Sequence, residues 1–116
     1  TQDRQDALEV MLQEPLDLLL VIGGYNSSNT SHLAEMGEHV LPTYFIKNVQ
    51  EINGLQSISH WNQHNQQLEE TPHWLPEGPI RVGITAGASC PNNLIEDVIN
   101  HLLELRNTSA EEFLAN

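Results

Sequence analysis

An aliphatic run followed at once by two glycines and a polar segment constrains the fold more than any other feature of this sequence. Residues 16–22 are aliphatic except for Asp17. Such a run predicts a strand that is buried on both faces of a parallel sheet. Gly23 and Gly24 carry no Cβ, so the backbone can turn sharply there and approach a ligand closely. We therefore expect a loop at the end of a central strand.

The polar segment that follows suits the start of a helix. Residues 26–31 are Asn, Ser, Ser, Asn, Thr and Ser. Their amides and hydroxyls lie where the free N–H groups of a helix point outward, and such a helix start favours anions. The same residue types are the usual N-caps, so a turn and cap without a ligand would give a similar string. The spacing fits neither the P-loop nor the dinucleotide-binding glycine pattern.

A second loop of the same kind occurs later in the chain. Residues 86–91, Ala-Gly-Ala-Ser-Cys-Pro, follow an alternating strand pattern and precede the clearest amphipathic helix. Ser89 or Cys90 is expected to cap that helix, and Pro91 suits its first position. In α/β sheets, ligands bind beyond the carboxyl ends of the strands. We expect both loops to meet there and to present two helix N-termini to one anion.

The remaining pattern predicts one α/β domain, a small and mostly parallel sheet flanked by helices. Helices are expected over residues 3–13, 29–39 and 91–106, and strands over 16–22, 42–46 and 80–85. Residues 48–78 are the least regular stretch. At 116 residues the chain is long enough for one domain. We assign residues 1–106 to the α/β domain and residues 107–116 to a C-terminal tail, either disordered or a returning arm.

Three histidines and two tryptophans stand out within the irregular stretch. His60 and His64 are four residues apart and His73 follows, so a shared metal ion is conceivable if the segment is helical. The polar surroundings and the lack of a third ligand at a convincing spacing favour no metal site. Trp61 and Trp74 are interpreted as anchors that hold this polar segment on the domain, in preference to platforms for a ligand.

The charge and cysteine content exclude several classes of partner. Four basic and sixteen acidic residues give a net charge of −12, which argues against nucleic acid and anionic membranes as partners. The single cysteine, Cys90, excludes an internal disulfide and cannot by itself form a zinc or iron-sulfur site. No apolar run reaches membrane-spanning length, and the N-terminus lacks signal-peptide features. We expect a soluble, intracellular protein.

Three ordered motifs resemble one known family. Residues 1–7 (TQDRQDA), 26–33 (NSSNTSHL) and 85–91 (TAGASCP) resemble the third, C-terminal domain of 4-hydroxy-3-methylbut-2-enyl diphosphate reductase, the LytB-type iron-sulfur enzyme. The resemblance runs to about residue 106. Residues 23–25 (GGY) and 60–64 (HWNQH) are similar to the cyanobacterial and plastid branch of that family. This resemblance implies a location in the cytoplasm, or in the plastid stroma of a plastid-bearing organism.

The resemblance implies a function for the parent enzyme and a role for this domain. The parent reduces an allylic diphosphate to isopentenyl and dimethylallyl diphosphate in the non-mevalonate pathway, with electrons from ferredoxin or flavodoxin. A 4Fe-4S cluster, held by three cysteines, carries out the chemistry. The family's diphosphate ligands fall on Ser27, Ser28 and Asn29 of the first loop and on Ser89 of the second.

The catalytic groups of the family do not fall within this sequence. The resemblance implies that the cluster cysteines, the remaining diphosphate ligands and the hydroxyl-handling residues belong to upstream domains, two of them similar to this one. Cys90 stands where the family has Thr or Ala and receives no cluster role, and Asn92 stands where Asp is common. We therefore expect no catalytic residue, metal or cofactor in this chain, and no activity from it alone. Two other interpretations stay open: a stand-alone module that binds a phosphorylated metabolite without catalysis, and a structural domain whose loops are only caps.

Overall fold

The aliphatic run forms the central strand of the fold, as its composition predicts. In a computed structural model, which describes residues 2–54, 57–75, 80–87, 90–106 and 113–115, strand β1 covers Leu18–Ile22 and all five of its side chains are buried. The strand begins two residues later than predicted. Asp17 lies just before it, where its carboxylate accepts a hydrogen bond of 2.8 Å from the backbone N–H of Arg81.

The other elements follow the predicted order, with additions in the region expected to be irregular and in the tail. They are helix α1 (Gln2–Met11), helix α2 (Ser28–Glu38), strand β2 (Thr43–Ile46), a short 3₁₀ helix (Val49–Glu51), strands β3 (Ser57–Asn62), β4 (Gln67–Pro72) and β5 (Val82–Ala86), helix α3 (Asn92–Arg106) and strand β6 (Phe113–Ala115). Helix α3 begins one residue after Pro91. Among these described elements, no helix is both long and apolar enough to cross a bilayer.

Four strands form a parallel sheet in the order β2-β1-β5-β6. Ile22 at the end of β1 pairs with Ile46 of β2 on one side and with Ala86 of β5 on the other. This arrangement confirms the predicted α/β class with a small parallel sheet. Strand β6 comes from the segment assigned to the tail, and its pairing with β5 is what a returning arm would form.

The sheet is covered on both faces, which explains why β1 is aliphatic throughout. Leu18, Leu20 and Ile22 belong to one buried cluster, which includes Val98 and Leu102 of α3. The alternate side chains of β1 belong to a second cluster with residues of α1 and α2. Successive side chains of a strand point to opposite faces, so neither face of β1 can be polar.

The prediction of irregular structure was wrong for residues 57–72. Strands β3 and β4 pair along their full length as an antiparallel hairpin, from Ser57 opposite Pro72 to Asn62 opposite Gln67. Polar cross-strand pairs contribute to it: Ser57 Oγ donates to Glu70 at 2.9 Å. The sequences of these strands show no regular alternation of apolar and polar residues, so periodicity does not predict them. Pairs of side chains across the two strands help to stabilise the hairpin.

Candidate anion site at two converging loops

The two loops leave the sheet side by side. The N–H of Gly23 donates to the carbonyl of Ile46 at 3.0 Å, and the N–H of Gly87 donates to the carbonyl of Ile22 at 3.0 Å. Each bond extends the strand pairing one step beyond the last paired residues. The first loop, residues 23–27, and the second loop, residues 87–91, therefore start on adjacent strands, which lie about 5 Å apart in a sheet.

Thr30 fills the space between the two loops. Its side chain is buried, at 1% exposure. A Cβ built on Gly23 would lie 2.5 Å from Thr30 Oγ1, and one built on Gly87 would overlap the same oxygen. Glycine is required at both positions by close packing, since neither has the positive φ that favours glycine. A Cβ on Gly87 would also lie 3.8 Å from Asn29 Oδ1, so Asn29 is close to the second loop.

Ser27 caps helix α2. Its backbone is extended, and its Oγ accepts hydrogen bonds from Thr30 N at 3.3 Å and from Thr30 Oγ1 at 3.1 Å. With both acceptor positions used, the Ser27 hydroxyl has its own proton left to donate. Ser28 is exposed in the first turn of the helix, and its side chain makes no hydrogen bond to the described residues.

The structure places the three first-loop candidates at one helix start, and their assignment as diphosphate ligands stays a prediction. Ser27, Ser28 and Asn29 all lie in the first turn of α2 or at its cap. Ser89 lies outside the described residues. A hydrogen bond joins the described residues before and after it: the N–H of Cys90 donates to the carbonyl of Gly87 at 3.0 Å. The assignment of Ser89 to the site stays a prediction, and it is supported by the position of Gly87 beside Thr30.

The charge distribution at the helix starts suits an anion. Neither α2 nor α3 has an acidic residue in its first turn. Acidic residues are favourable at that position in an isolated helix, but they would repel a bound anion. Lys47 directly follows β2, which ends at the same edge of the sheet as β1 and β5. Its Nζ lies 5.8 Å from the centre of the Tyr25 ring. Sequence analysis missed this cation, although its position after a strand was a usable signal.

Tyr25 connects the first loop to the rest of the domain. Its ring stacks on Trp61 of β3, with centroids 4.8 Å apart and planes 10° apart, and meets the edge of Phe45 at 5.4 Å. Its hydroxyl donates to Glu51 Oε1. Burial raises the pKa of Glu51, and a hydrogen bond from the backbone N–H of Lys47 partly offsets that rise. A hydrogen-bonding tyrosine at this carboxylate is consistent with its partial burial.

Two of the three histidines considered as metal ligands, His60 and His64, have other partners. His60 lies on β3 and not on a helix, and its Nε2 is 2.7 Å from Thr71 Oγ1. His64 Nε2 is 3.0 Å from Glu38 Oε1. Within the described ranges, no three His, Cys, Asp or Glu side chains lie close enough together to hold a metal ion.

The two tryptophans act as the predicted anchors. Trp74 is buried at 3% exposure and its Nε1–H donates to the Gly54 carbonyl at 2.9 Å. Trp61 packs on Tyr25. Both rings therefore fix the hairpin region to the domain through contacts within the chain.

The protonation of His60 is expected to make the fold sensitive to acid. Burial lowers the pKa of His60 below 6.5, although Glu69 and Glu38 act in the opposite direction. The unfolded chain then takes up a proton at this residue more readily than the folded chain, so stability falls as the pH drops below about 6.5. We expect His60→Gln to lose less free energy of unfolding than the unaltered chain between about pH 7.5 and about pH 5, as measured by urea titration. Equal losses would contradict this.

Comparisons with known proteins agree with these features. A family model described as LytB protein matches residues 1–103. The 4-hydroxy-3-methylbut-2-enyl diphosphate reductase of Gloeobacter violaceus is 48% identical over 107 residues, covering 91% of this chain and 26% of that protein. The reductase of the same name from Nostoc sp. is 49% identical over 111 residues, covering 95% and 27%. The chain thus spans about a quarter of the length of the curated relatives it matches.

A solved structure shares the fold. It is described as the structure of (E)-4-hydroxy-3-methyl-but-2-enyl diphosphate reductase, the terminal enzyme of the non-mevalonate pathway, and it matches with a TM-score of 0.61 and 28% identity. The match covers 87% of this chain and 29% of that one. The resemblance inferred from three short motifs is confirmed across nearly the whole chain. The chain belongs to the LytB protein family.

Proposed function

We propose that this chain is the C-terminal domain of a 4-hydroxy-3-methylbut-2-enyl diphosphate reductase, and that its two loops hold the diphosphate of the substrate. The relatives with this name are about four times as long as the matched region, which favours a longer parent protein. The isolated chain is then expected to be inactive, because it supplies part of a binding site and no catalytic group.

The convergence of the two loops carries the proposal. Gly23 and Gly87 begin loops on adjacent strands, and both pack against Thr30. Hydroxyl and backbone N–H donors at a helix start bind phosphate oxygens without a nearby lysine. Ser27 has a proton to donate, and Ser28 is exposed in the same turn. A diphosphate bound at this edge of the sheet, outside Thr30, would receive hydrogen bonds from both loops.

The role of this domain in catalysis is positioning. Hydrogen bonds to an ionised diphosphate are stronger than those between neutral groups. Fixing the non-reacting end of the substrate restricts its motion and orients the reacting end toward the catalytic group. Ser27, Ser28, Asn29 and Ser89 are the residues proposed for this role.

The residues of this chain do not fit a 4Fe-4S cluster. Such clusters are held by several cysteine thiolates, and this chain has one cysteine. Cys90 is only partly buried, and its thiol lies 3.7 Å from the Pro91 carbonyl beside the start of α3. Cluster ligands, like the interactions with ferredoxin or flavodoxin, are therefore proposed for other domains of the parent protein.

The alternative of a stand-alone α/β module remains, since the loops would suit any phosphorylated metabolite. The reading frame that encodes this chain decides between the two. Upstream sequence containing three cysteines, one of them a few residues before Thr1, would support the reductase. A frame without them would overturn that assignment and favour the module.

Replacing Ser28 with alanine is expected to lower kcat/KM of the full-length reductase by about 10- to 100-fold, the value of one charge-assisted hydrogen bond. Its side chain makes no hydrogen bond to the described residues, so the fold should be unaffected. Steady-state kinetics with the allylic diphosphate and a thermal unfolding scan measure the two effects. Unchanged kcat/KM would argue against contact between Ser28 and the diphosphate.

Two variants of Ser27 separate binding from capping. Both Ser27→Ala and Ser27→Gly remove the hydroxyl, but alanine at an N-cap costs about 1 kcal/mol of stability while glycine costs a few tenths. If Ser27 binds substrate, kcat/KM falls equally in both variants despite their different stabilities. If the loops are only caps, stability alone changes and kcat/KM stays at the original value.

A further inference from the structure

The end of the β3–β4 hairpin contacts the first loop through stacked aromatic rings. Trp61, near the end of β3, lies parallel to the Tyr25 ring at 4.8 Å. Phe45 of β2 makes an edge-to-face contact with Tyr25, with centroids 5.4 Å apart, and Phe45 is buried at 1% exposure. Tyr25 is the largest side chain of the first loop, so this contact restrains the loop.

The same hairpin end also contacts helix α2. Gln63 Nε2 donates to the carbonyl of Ser31, in the first turn of the helix, at 3.2 Å. His64 Nε2 lies 3.0 Å from Glu38 Oε1 at the last turn. Residues 61–64 therefore touch the helix at both ends as well as the loop that precedes it.

The first loop has few restraints of its own. It contains two glycines, whose backbones are the most flexible of any residue. Among the described residues, its backbone hydrogen bonds are Gly23 N to Ile46 O at 3.0 Å, Ser27 N to Gly24 O at 3.1 Å and, at the helix cap, Ser31 N to Ser27 O at 2.9 Å. A binding loop that is ordered before the ligand arrives avoids the entropy cost of ordering on binding. The stacking of Trp61 on Tyr25 is a contact from outside the loop that keeps the loop ordered.

We propose that the hairpin is a brace for the first loop, and that Trp61 is a positioning residue that holds Tyr25 and thereby Ser27 and Ser28. The inference rests on the proposed function, because it concerns the same diphosphate site. It gives a role to residues 61–64, which otherwise carry no part of that site. In this role Trp61 acts through its contact with Tyr25.

The test compares three variants of the full-length reductase: Trp61→Ala, Trp61→Phe and, as a control, Ile58→Val. Ile58 lies on the same strand but belongs to the other core cluster. We expect Trp61→Ala to raise KM for the allylic diphosphate about three- to tenfold, the value of one aromatic pair, with kcat within about twofold. Trp61→Phe keeps a stacked ring and should restore KM to within about twofold.

A purely structural role for Trp61 gives a different result. Partial unfolding removes active enzyme, which lowers apparent kcat and leaves KM unchanged. The proposal that the hairpin is a brace would therefore be contradicted by either of two results. One is an unchanged KM in Trp61→Ala, and the other is a rise in KM in Ile58→Val as large as that in Trp61→Ala.

Hydrogen exchange provides a readout that does not depend on substrate. Amides of residues 23–31 should exchange faster in Trp61→Ala than in the original protein or in Ile58→Val. Equal exchange would overturn the brace. If Ser28→Ala leaves kcat/KM unchanged while exchange in Trp61→Ala is faster, the diphosphate site is wrong and the brace stands as a restraint on the loop.

Discussion

Replacing Phe45 with alanine is expected to lower the free energy of unfolding by about 3–5 kcal/mol. Phe45 lies on β2 at 1% exposure, among the buried residues that α1 and α2 cover. Its removal leaves a cavity beside β2, and β2 cannot move to fill it because it is hydrogen-bonded to β1. The edge-to-face contact with Tyr25 is also lost. Urea titration of the chain, with the unfolding slope compared to that of the original sequence, measures the loss.

An exposed leucine provides the matched control for this core substitution. Leu68 on β4 is 54% exposed, so Leu68→Ala should change stability by no more than about 0.5 kcal/mol. A similar loss in both variants would mean that Phe45 is not in a packed core. In the full-length reductase, Phe45→Leu keeps most of the volume and should cost less than Phe45→Ala.

Replacing Gly87 with alanine is expected to destabilise the fold by about 3 kcal/mol, the upper end for overpacking. The new Cβ would overlap Thr30 Oγ1, and Thr30 is buried between this loop and Gly23. Thr30 cannot move away, because its hydroxyl and N–H are bonded to Ser27. Relief requires the two loops to separate, so kcat/KM of the proposed full-length reductase should fall as well.

A second substitution tests whether Thr30 causes the clash. In Gly87→Ala/Thr30→Ala the nearest remaining atom is the Cβ of residue 30, at 3.4 Å, which is an ordinary contact. The double variant should be more stable than the sum of the two single changes predicts, by at least about 1 kcal/mol. Gly24→Ala is the control, since its Cβ would meet only Asn26 Oδ1 at 3.5 Å. Additive losses, or an equal loss in Gly24→Ala, would show that the loops are not packed as described.

Sequence reasoning succeeded where one local property decided the structure. The aliphatic run before Gly23 predicted a strand covered on both faces, and it became β1. The polar residues after it predicted a helix start at residue 29 or 30, and α2 begins at Ser28 with Ser27 as its cap. Once two such strand-loop-helix units are recognised, parallel pairing places their loops at one edge of the sheet.

The hairpin was missed because its stability does not arise from a local pattern. Strand β4 has three glutamate or glutamine residues and is mostly exposed. The connection between the strands carries no glycine, although Gln66 adopts a positive φ of 57°. Turn rules assign that conformation to glycine or asparagine, so they predict no hairpin here.

The sequence by itself determined the α/β class, the burial of β1, the helix start after the first loop and the family, because each depends on residues close together in the chain or on a motif they form. Only the tertiary structure decided that Thr30 separates Gly23 from Gly87 and that Trp61 of the hairpin lies on Tyr25. Those contacts join residues that are distant in sequence. They depend on how the strands pair and how side chains fill the space between elements, which no local pattern of residues encodes.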